Sequence, residues 1–219
     1  MSGSTAPQAG GRGAPGLTLA PRKTAIVVVD MQGVFHDATP WRVPGFDAIV
    51  PKVERLVAWD PARVIFTRFW APVRPEDAPG WWRQYYQRWA AVTLARMPRD
   101  RFALVEPLRR YAPPAAVVDK TTYSPFAVPA MAQALVRLGA DTLVLAGVET
   151  DACVLATALD AVDLGFRVVI AADAAASGSP EAHRAMVETV YPRHEPQVVV
   201  ATVADVLAAL GRRQDPGNP

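Results

Sequence analysis

The chain is predicted to be an α/β protein, a three-layer sandwich in which a six-stranded, mainly parallel sheet is flanked by helices. Three observations lead there. Short apolar, β-branched runs recur along the sequence, helical periodicity fills most of the gaps between them, and glycine follows two helical stretches at Gly139 and Gly165. Alternating βα units of this length pair in parallel through right-handed crossovers.

Ala25-Ile26-Val27-Val28-Val29-Asp30 is an unbroken run of the kind found in strands buried on both faces. Phe46 to Trp59 has helical periodicity, with Val50, Val53, Leu56 and Val57 on one side. Pro51 sits near its first turn, where a missing N–H does least harm. Further strands are expected at Arg63–Thr67, Val117–Asp119, Leu143–Ala146, Arg167–Ala171 and Val198–Val200. Helical patterns cover Val128–Leu138, Ala152–Leu164, Glu181–Tyr191 and Val203–Leu210. Residues 1–18, rich in Gly, Ala, Pro and Ser, read as a disordered arm, and 212–219 as a flexible terminus, which leaves 19–211 as a single domain.

The rhythm breaks between Ala71 and Arg110. After Pro72, Pro75 and Pro79 comes Trp81-Trp82-Arg83-Gln84-Tyr85-Tyr86-Gln87-Arg88-Trp89, which on a helix makes one broad aromatic face. Such a face serves as core, as a subunit contact, or as a wall for a substrate.

Composition excludes several classes. Hydrophobic residues are 51% and charged ones 20%, as in a globular protein, and a formal charge of +2 without a basic stripe argues against nucleic acid. A single cysteine forbids an internal disulfide and suits a reducing cytoplasm. No apolar run has the roughly 18 residues that crossing a membrane needs.

Chemistry centres on Leu143-Val144-Leu145-Ala146-Gly147-Val148-Glu149-Thr150-Asp151-Ala152-Cys153-Val154. A strand ends and a helix begins within this stretch, with Thr150 or Asp151 as candidate N-cap, so the lone cysteine falls in a first helical turn. A free cysteine is more often a small core residue. At this position, however, unpaired N–H groups and the helix dipole favour thiolate, and the carboxyl ends of strands are where ligands collect in open sheets. Asp30 ends the first strand and Lys120 follows the third, so both could converge on Cys153. Asp30 could take the thiol proton, with Lys120 stabilising both partners.

In these residues the sequence resembles the isochorismatase-like cysteine hydrolases, which include nicotinamidase and N-carbamoylsarcosine amidohydrolase. The resemblance is carried by Val29-Asp30-Met31-Gln32, by Asp119-Lys120-Thr121-Thr122-Tyr123-Ser124-Pro125-Phe126, and by Gly147 to Val154. It implies a Rossmann-like sheet, a catalytic triad of Asp30, Lys120 and Cys153, and an oxyanion hole from the backbone N–H groups of Glu149 and Cys153. It also suggests a cis peptide at Val148–Glu149. Gln32, Phe35, Trp70, Tyr123 and Phe126 adjoin triad segments and are the candidate substrate-binding residues.

Two departures narrow the reading. Nicotinamidases carry metal-binding Asp and His residues after the second strand. Here Thr67-Arg68-Phe69-Trp70-Ala71-Pro72-Val73-Arg74-Pro75 has no histidine, and His36, His183 and His194 lack ligand spacing, so neither metal nor cofactor is expected. Isochorismate-cleaving members lack the cysteine nucleophile. The expected function is therefore hydrolysis of an amide or ureido C–N bond of a small metabolite through a thioester, in a homo-oligomer, dimer or tetramer. Vinyl-ether hydrolysis and non-catalytic binding of a small molecule are the alternatives. His36 is read as a solvated loop residue and His183 as a structural hydrogen-bonding one.

Overall fold

A computed structural model of the chain describes residue 14 and residues 16–211. The strands are β1 (Thr24–Val29), β2 (Val64–Phe69), β3 (Ala116–Lys120), β4 (Thr142–Val148), β5 (Arg167–Ala176) and β6 (Val198–Ala201). They form one sheet in the order β3-β2-β1-β4-β5-β6, and every adjacent pair is parallel. The α-helices are α1 (Gly33–His36), α2 (Phe46–Trp59), α3 (Trp82–Arg88), α4 (Glu106–Arg109), α5 (Pro129–Leu138), α6 (Cys153–Asp163), α7 (Pro180–Ala185) and α8 (Val203–Leu210).

Central strands β1 and β4 are buried throughout, as their β-branched runs predict for a sheet covered on both faces. Helices α2 and α8 pack on each other and on β5, α6 lies on β4 and β5, and α5 lies on β3. The chain builds outward from β1 to β3 in one direction, then returns to place β4 on the other side of β1. That reversal makes a crevice beyond the carboxyl ends of β1 and β4.

Two elements differ from expectation. Strand β5 continues past Ala171 to Ala176, because Ala175 and Ala176 pair with Gly147 and Val148 after a register shift. Within that irregular stretch Asp173 accepts from the Val203 N–H at 2.7 Å, which ties β5 to the start of α8. The helix expected over Glu181–Tyr191 stops as α7, passes into a π-helical turn at Met186–Val190, and ends as a 3-10 turn at Tyr191–His194. Pro192 has no N–H with which to continue the ladder. Of the expected terminal segments, residues 1–13, 15 and 212–219 lie outside the described residues. The remainder of the first is held to the body of the protein: Thr18 O accepts from Arg167 at 2.8 Å.

Gly147 fixes how closely β4 approaches β1. Its φ is +105°, and a Cβ there would lie 2.0 Å from the Val29 carbonyl oxygen. Gly147→Ala should therefore cost about 3 kcal/mol or more, through overpacking and a strained φ together. Urea unfolding checks this; a loss below about 1 kcal/mol would show that the strands can separate locally.

Candidate active site

Beyond β1 the chain turns at Asp30, whose φ is +51°, a left-handed conformation that aspartate tolerates better than most residues. Its side chain is fully buried, so each carboxylate oxygen needs a donor. Thr67 on β2 donates to Oδ1 at 2.5 Å, and its oxygen accepts from the Asp30 N–H at 3.2 Å. Lys120, the last residue of β3, donates to Oδ2 at 2.6 Å and to Thr122 O at 3.1 Å. Its ammonium also lies 4.8 Å from the centre of the Phe69 ring. Two strands thus separate β3 from β4, and a long side chain spans β2 to reach Asp30.

Cys153 opens α6 and is 5% exposed. Asp30 and Lys120 both act on its thiol, with opposite effects. The thiolate expected from the helix start alone is corrected by this environment. Burial, and then the Asp30 charge, push the thiol far above its usual range, and Lys120 offsets only part of this.

Neither Thr150 nor Asp151 caps α6. Ala152 holds the N-cap position without a side-chain bond, because the two expected caps are engaged elsewhere. Thr150 donates its N–H to Ala176 O at 2.9 Å, its hydroxyl meets His183 Nδ1 at 2.8 Å, and its carbonyl accepts from the Tyr191 hydroxyl at 2.7 Å. Asp151 accepts from the Ser177 hydroxyl at 2.5 Å. These bonds fix the turn from β4 to α6 from its far side. Val148–Glu149 within the turn is cis. The Glu149 carboxylate accepts from the Gly178 N–H at 3.1 Å; burial and the Asp151 charge raise its pKa against that bond.

The expected substrate contacts divide. Tyr123, on the loop after β3, packs 4.9 Å from Trp82, and burial raises its phenol's pKa, with Cys153 and Glu149 adding to the rise. Phe35 is buried and stacks on Trp41 at 5.8 Å, behind the ring that faces Phe69, Tyr85 and Tyr86. Trp70 stacks on Phe102 at 5.3 Å and lies beneath the Arg68 guanidinium at 5.6 Å. Two candidates are corrected. The Gln32 amide is committed to backbone, donating to Phe69 O at 3.1 Å and Phe102 O at 2.6 Å and accepting from Phe69 N at 2.7 Å. It positions the loop after β1. The Phe126 ring packs 6.1 Å from Phe166, which precedes β5 at the opposite edge of the sheet from Cys153. His36 bridges Asp37 and Asp47 at the surface.

The aromatic helix packs against the ring that covers Lys120: Trp82 lies 6.3 Å from Phe69. Cys153 acts electrostatically on Tyr85 and Tyr86 of α3, and Trp82 lies 4.9 Å from Tyr123. Thr67, Trp41 and Phe69 were not signalled as site residues by sequence. Thr67 enters the site through register: Val28 pairs with Phe66, which sets the next residue beside the end of β1.

A family model described as the isochorismatase domain matches residues 24–205. The chain belongs to the isochorismatase family. It is 32% identical to a probable inactive nicotinamidase of Arabidopsis thaliana, over 75% of this chain and 86% of that protein. It is 31% identical to the maleamate amidohydrolase of Pseudomonas putida, over 75% of this chain and 77% of that one. A solved cysteine hydrolase from Pseudomonas syringae superposes with a TM-score of 0.74 at 23% identity, covering 89% of this chain and 95% of that one, which establishes the shared fold. The metal-binding group of nicotinamidases does not fit these residues. Among the described residues no three His, Cys, Asp or Glu side chains gather as ligands.

Thr67→Val tests the support of Asp30. It keeps the side-chain volume but removes the hydroxyl from a buried carboxylate, and should cost about 1.5–3 kcal/mol in chemical unfolding. A change within about 0.5 kcal/mol would mean that Lys120 alone satisfies Asp30.

Proposed function

We propose that this isochorismatase-family hydrolase is a cysteine-dependent amidohydrolase that cleaves an amide or ureido C–N bond of a small metabolite. The observation that carries the reading is the buried Asp30–Lys120 pair at 2.6 Å, with the buried Cys153 thiol under the influence of both. A proton acceptor, a fixed cation and a nucleophile are thereby held together beyond the carboxyl edge of the sheet. The similarity to a maleamate amidohydrolase supports amide chemistry.

As the sulfur attacks the substrate carbonyl carbon, the thiol proton passes to Asp30 and the carbonyl π electrons move onto oxygen. The N–H groups of Glu149 and Cys153 are the donors for that oxyanion; neither has an acceptor among the described residues. Collapse of the tetrahedral adduct breaks the C–N bond, and the departing nitrogen takes the proton from Asp30. The product is a thioester on Cys153. Water then gives a proton to Asp30 while its oxygen attacks the thioester carbon. The C–S bond breaks, the acid is released, and the sulfur recovers its proton from Asp30. Lys120 stays charged throughout.

A binding role without turnover is the second reading, favoured by the name of the Arabidopsis thaliana relative as a probable inactive nicotinamidase. Ammonia release across a panel of small primary amides and ureido acids separates the two. Wild type should turn over at least one of them, and Cys153→Ala should lose about a thousandfold or more of that rate while remaining folded. Activity that survives in Cys153→Ala would exclude the thioester route.

The state of the resting thiol has its own check. Because burial and Asp30 raise its pKa, Cys153 stays neutral below that pKa and ionises only as the pH climbs through it. A difference ultraviolet spectrum, wild type minus Cys153→Ala, should show no thiolate absorbance at neutral pH and a growing band in alkali. A thiolate band at neutral pH would contradict the assignment.

A further inference from the structure

The turn between β4 and α6, which carries the N–H groups of Glu149 and Cys153, is bonded from behind, residue by residue, to the segment 177–191. The Glu149 carboxylate accepts from the Gly178 N–H at 3.1 Å, and the Asp151 carboxylate from the Ser177 hydroxyl at 2.5 Å. Thr150, between them and fully buried, is held twice. Its hydroxyl lies 2.8 Å from His183 Nδ1, and its carbonyl accepts from the Tyr191 hydroxyl at 2.7 Å. Ser179 secures the near end of the segment, since its hydroxyl accepts from the Ala182 N–H and caps α7. Burial holds the His183 pKa below the usual histidine range, against the Asp151 charge, so a neutral ring can accept the Thr150 proton at Nδ1.

Both contacts on Thr150 come from one continuous helical run. His183 lies in α7, and Tyr191 follows the π-helical turn Met186–Val190. Over the eight residues that separate them, a regular α-helix would rotate the two side chains about 80° apart. The π turn takes up one extra residue, because the Tyr191 N–H bonds to Met186 O, five residues back rather than four. His183 and Tyr191 then project to the same side, and both reach Thr150. Single π turns of this kind recur at functional sites. Tyr191 is 1% exposed, and its hydroxyl is spent on this one carbonyl.

We propose that His183 and Tyr191 are positioning residues that clamp Thr150, and thereby hold the Glu149 and Cys153 N–H groups on either side of it where a reacting carbonyl oxygen needs them. The kinetic effect rests on the amidohydrolase reading; backbone exchange needs no substrate. Tyr191→Phe keeps the ring and removes one donor. Hydrogen exchange of the Thr150, Ala152 and Val154 amides, bonded to Ala176 O and Glu149 O, should quicken about tenfold, while amides of β1 exchange as before. On whichever amide wild type hydrolyses, kcat should fall about tenfold with KM within about twofold, less than the hundredfold or more that outright loss of an oxyanion donor costs. His183→Leu should act in the same way, and decides the matter if Tyr191→Phe does not fold. His183→Asn, which can offer an acceptor near the Nδ1 position, should recover most of the rate. A merely structural role would quicken exchange throughout the sheet and leave kcat of the folded fraction alone. The proposal is overturned if exchange at 150–154 is unchanged, if β1 quickens equally, if KM rises while kcat holds, or if His183→Asn is as impaired as His183→Leu. Should wild type hydrolyse no amide, the hydrolase reading fails, and quickened exchange confined to 150–154 would leave the clamp standing.

Discussion

A carboxylate and an ammonium enclosed together, Asp30 with Lys120, impose the arrangement around them. Neither side chain reaches solvent, so each would be very costly without the other, and removing one partner of such a pair typically costs about 3–5 kcal/mol. Their bond requires the ends of β1 and β3 to stay a fixed distance apart with β2 between them. Thr67 fills the position on β2 where a hydroxyl can reach Asp30, and the Phe69 ring covers the ammonium. Gln32 then pins the chain after Asp30 to Phe69 and Phe102. The polar bonds at this edge of the sheet serve to hold one carboxylate in one orientation.

Cys153 meets that carboxylate because of what happens on the other side of the switch point. Gly147 lets the end of β4 press against Val29, and the turn that follows is held from behind by Thr150, Asp151, Tyr191 and His183. With the usual capping side chains drawn away, α6 opens with the Cys153 N–H unclaimed, while the Val154 N–H is taken by Glu149 O at 3.0 Å. The same bonds that deprive the helix of a side-chain cap therefore leave donors free for chemistry.

The sheet was legible because buried parallel strands leave a plain record. Val27, Val28 and Val29 can be so uniformly apolar only if both faces are covered, and Gly139 ends a helix in a left-handed conformation that its lack of Cβ allows. Asp30, Lys120 and Cys153 were legible because charged or reactive groups at strand ends break an apolar pattern. The length of β5 was not, since pairing of Ala175 and Ala176 depends on a register shift that local composition does not encode. Gln32 and Phe126 show the limit of adjacency in sequence. Both neighbour triad segments, but Gln32 is drawn into backbone bonds and Phe126 is turned toward Phe166 by the Pro125–Ala127 turn. The aromatic run from Trp81 to Trp89 announced a helix face, whereas only packing could say that Trp82 on that face meets Phe69 and Tyr123.

In the proposed mechanism, burial and reactivity in this site are reconciled by the movement of one proton. A thiolate formed in isolation would be expensive so far from water, and burial accordingly raises the thiol's pKa. When its proton passes to Asp30, the carboxylate charge disappears as the sulfur charge forms, and Lys120 changes partner without moving. The enclosed group carries one positive and one negative charge before the transfer and the same after it. Its desolvation cost is consequently nearly constant along the reaction, and the barrier is left to depend on geometry and on the oxyanion donors. That balance holds only while nothing else charged enters.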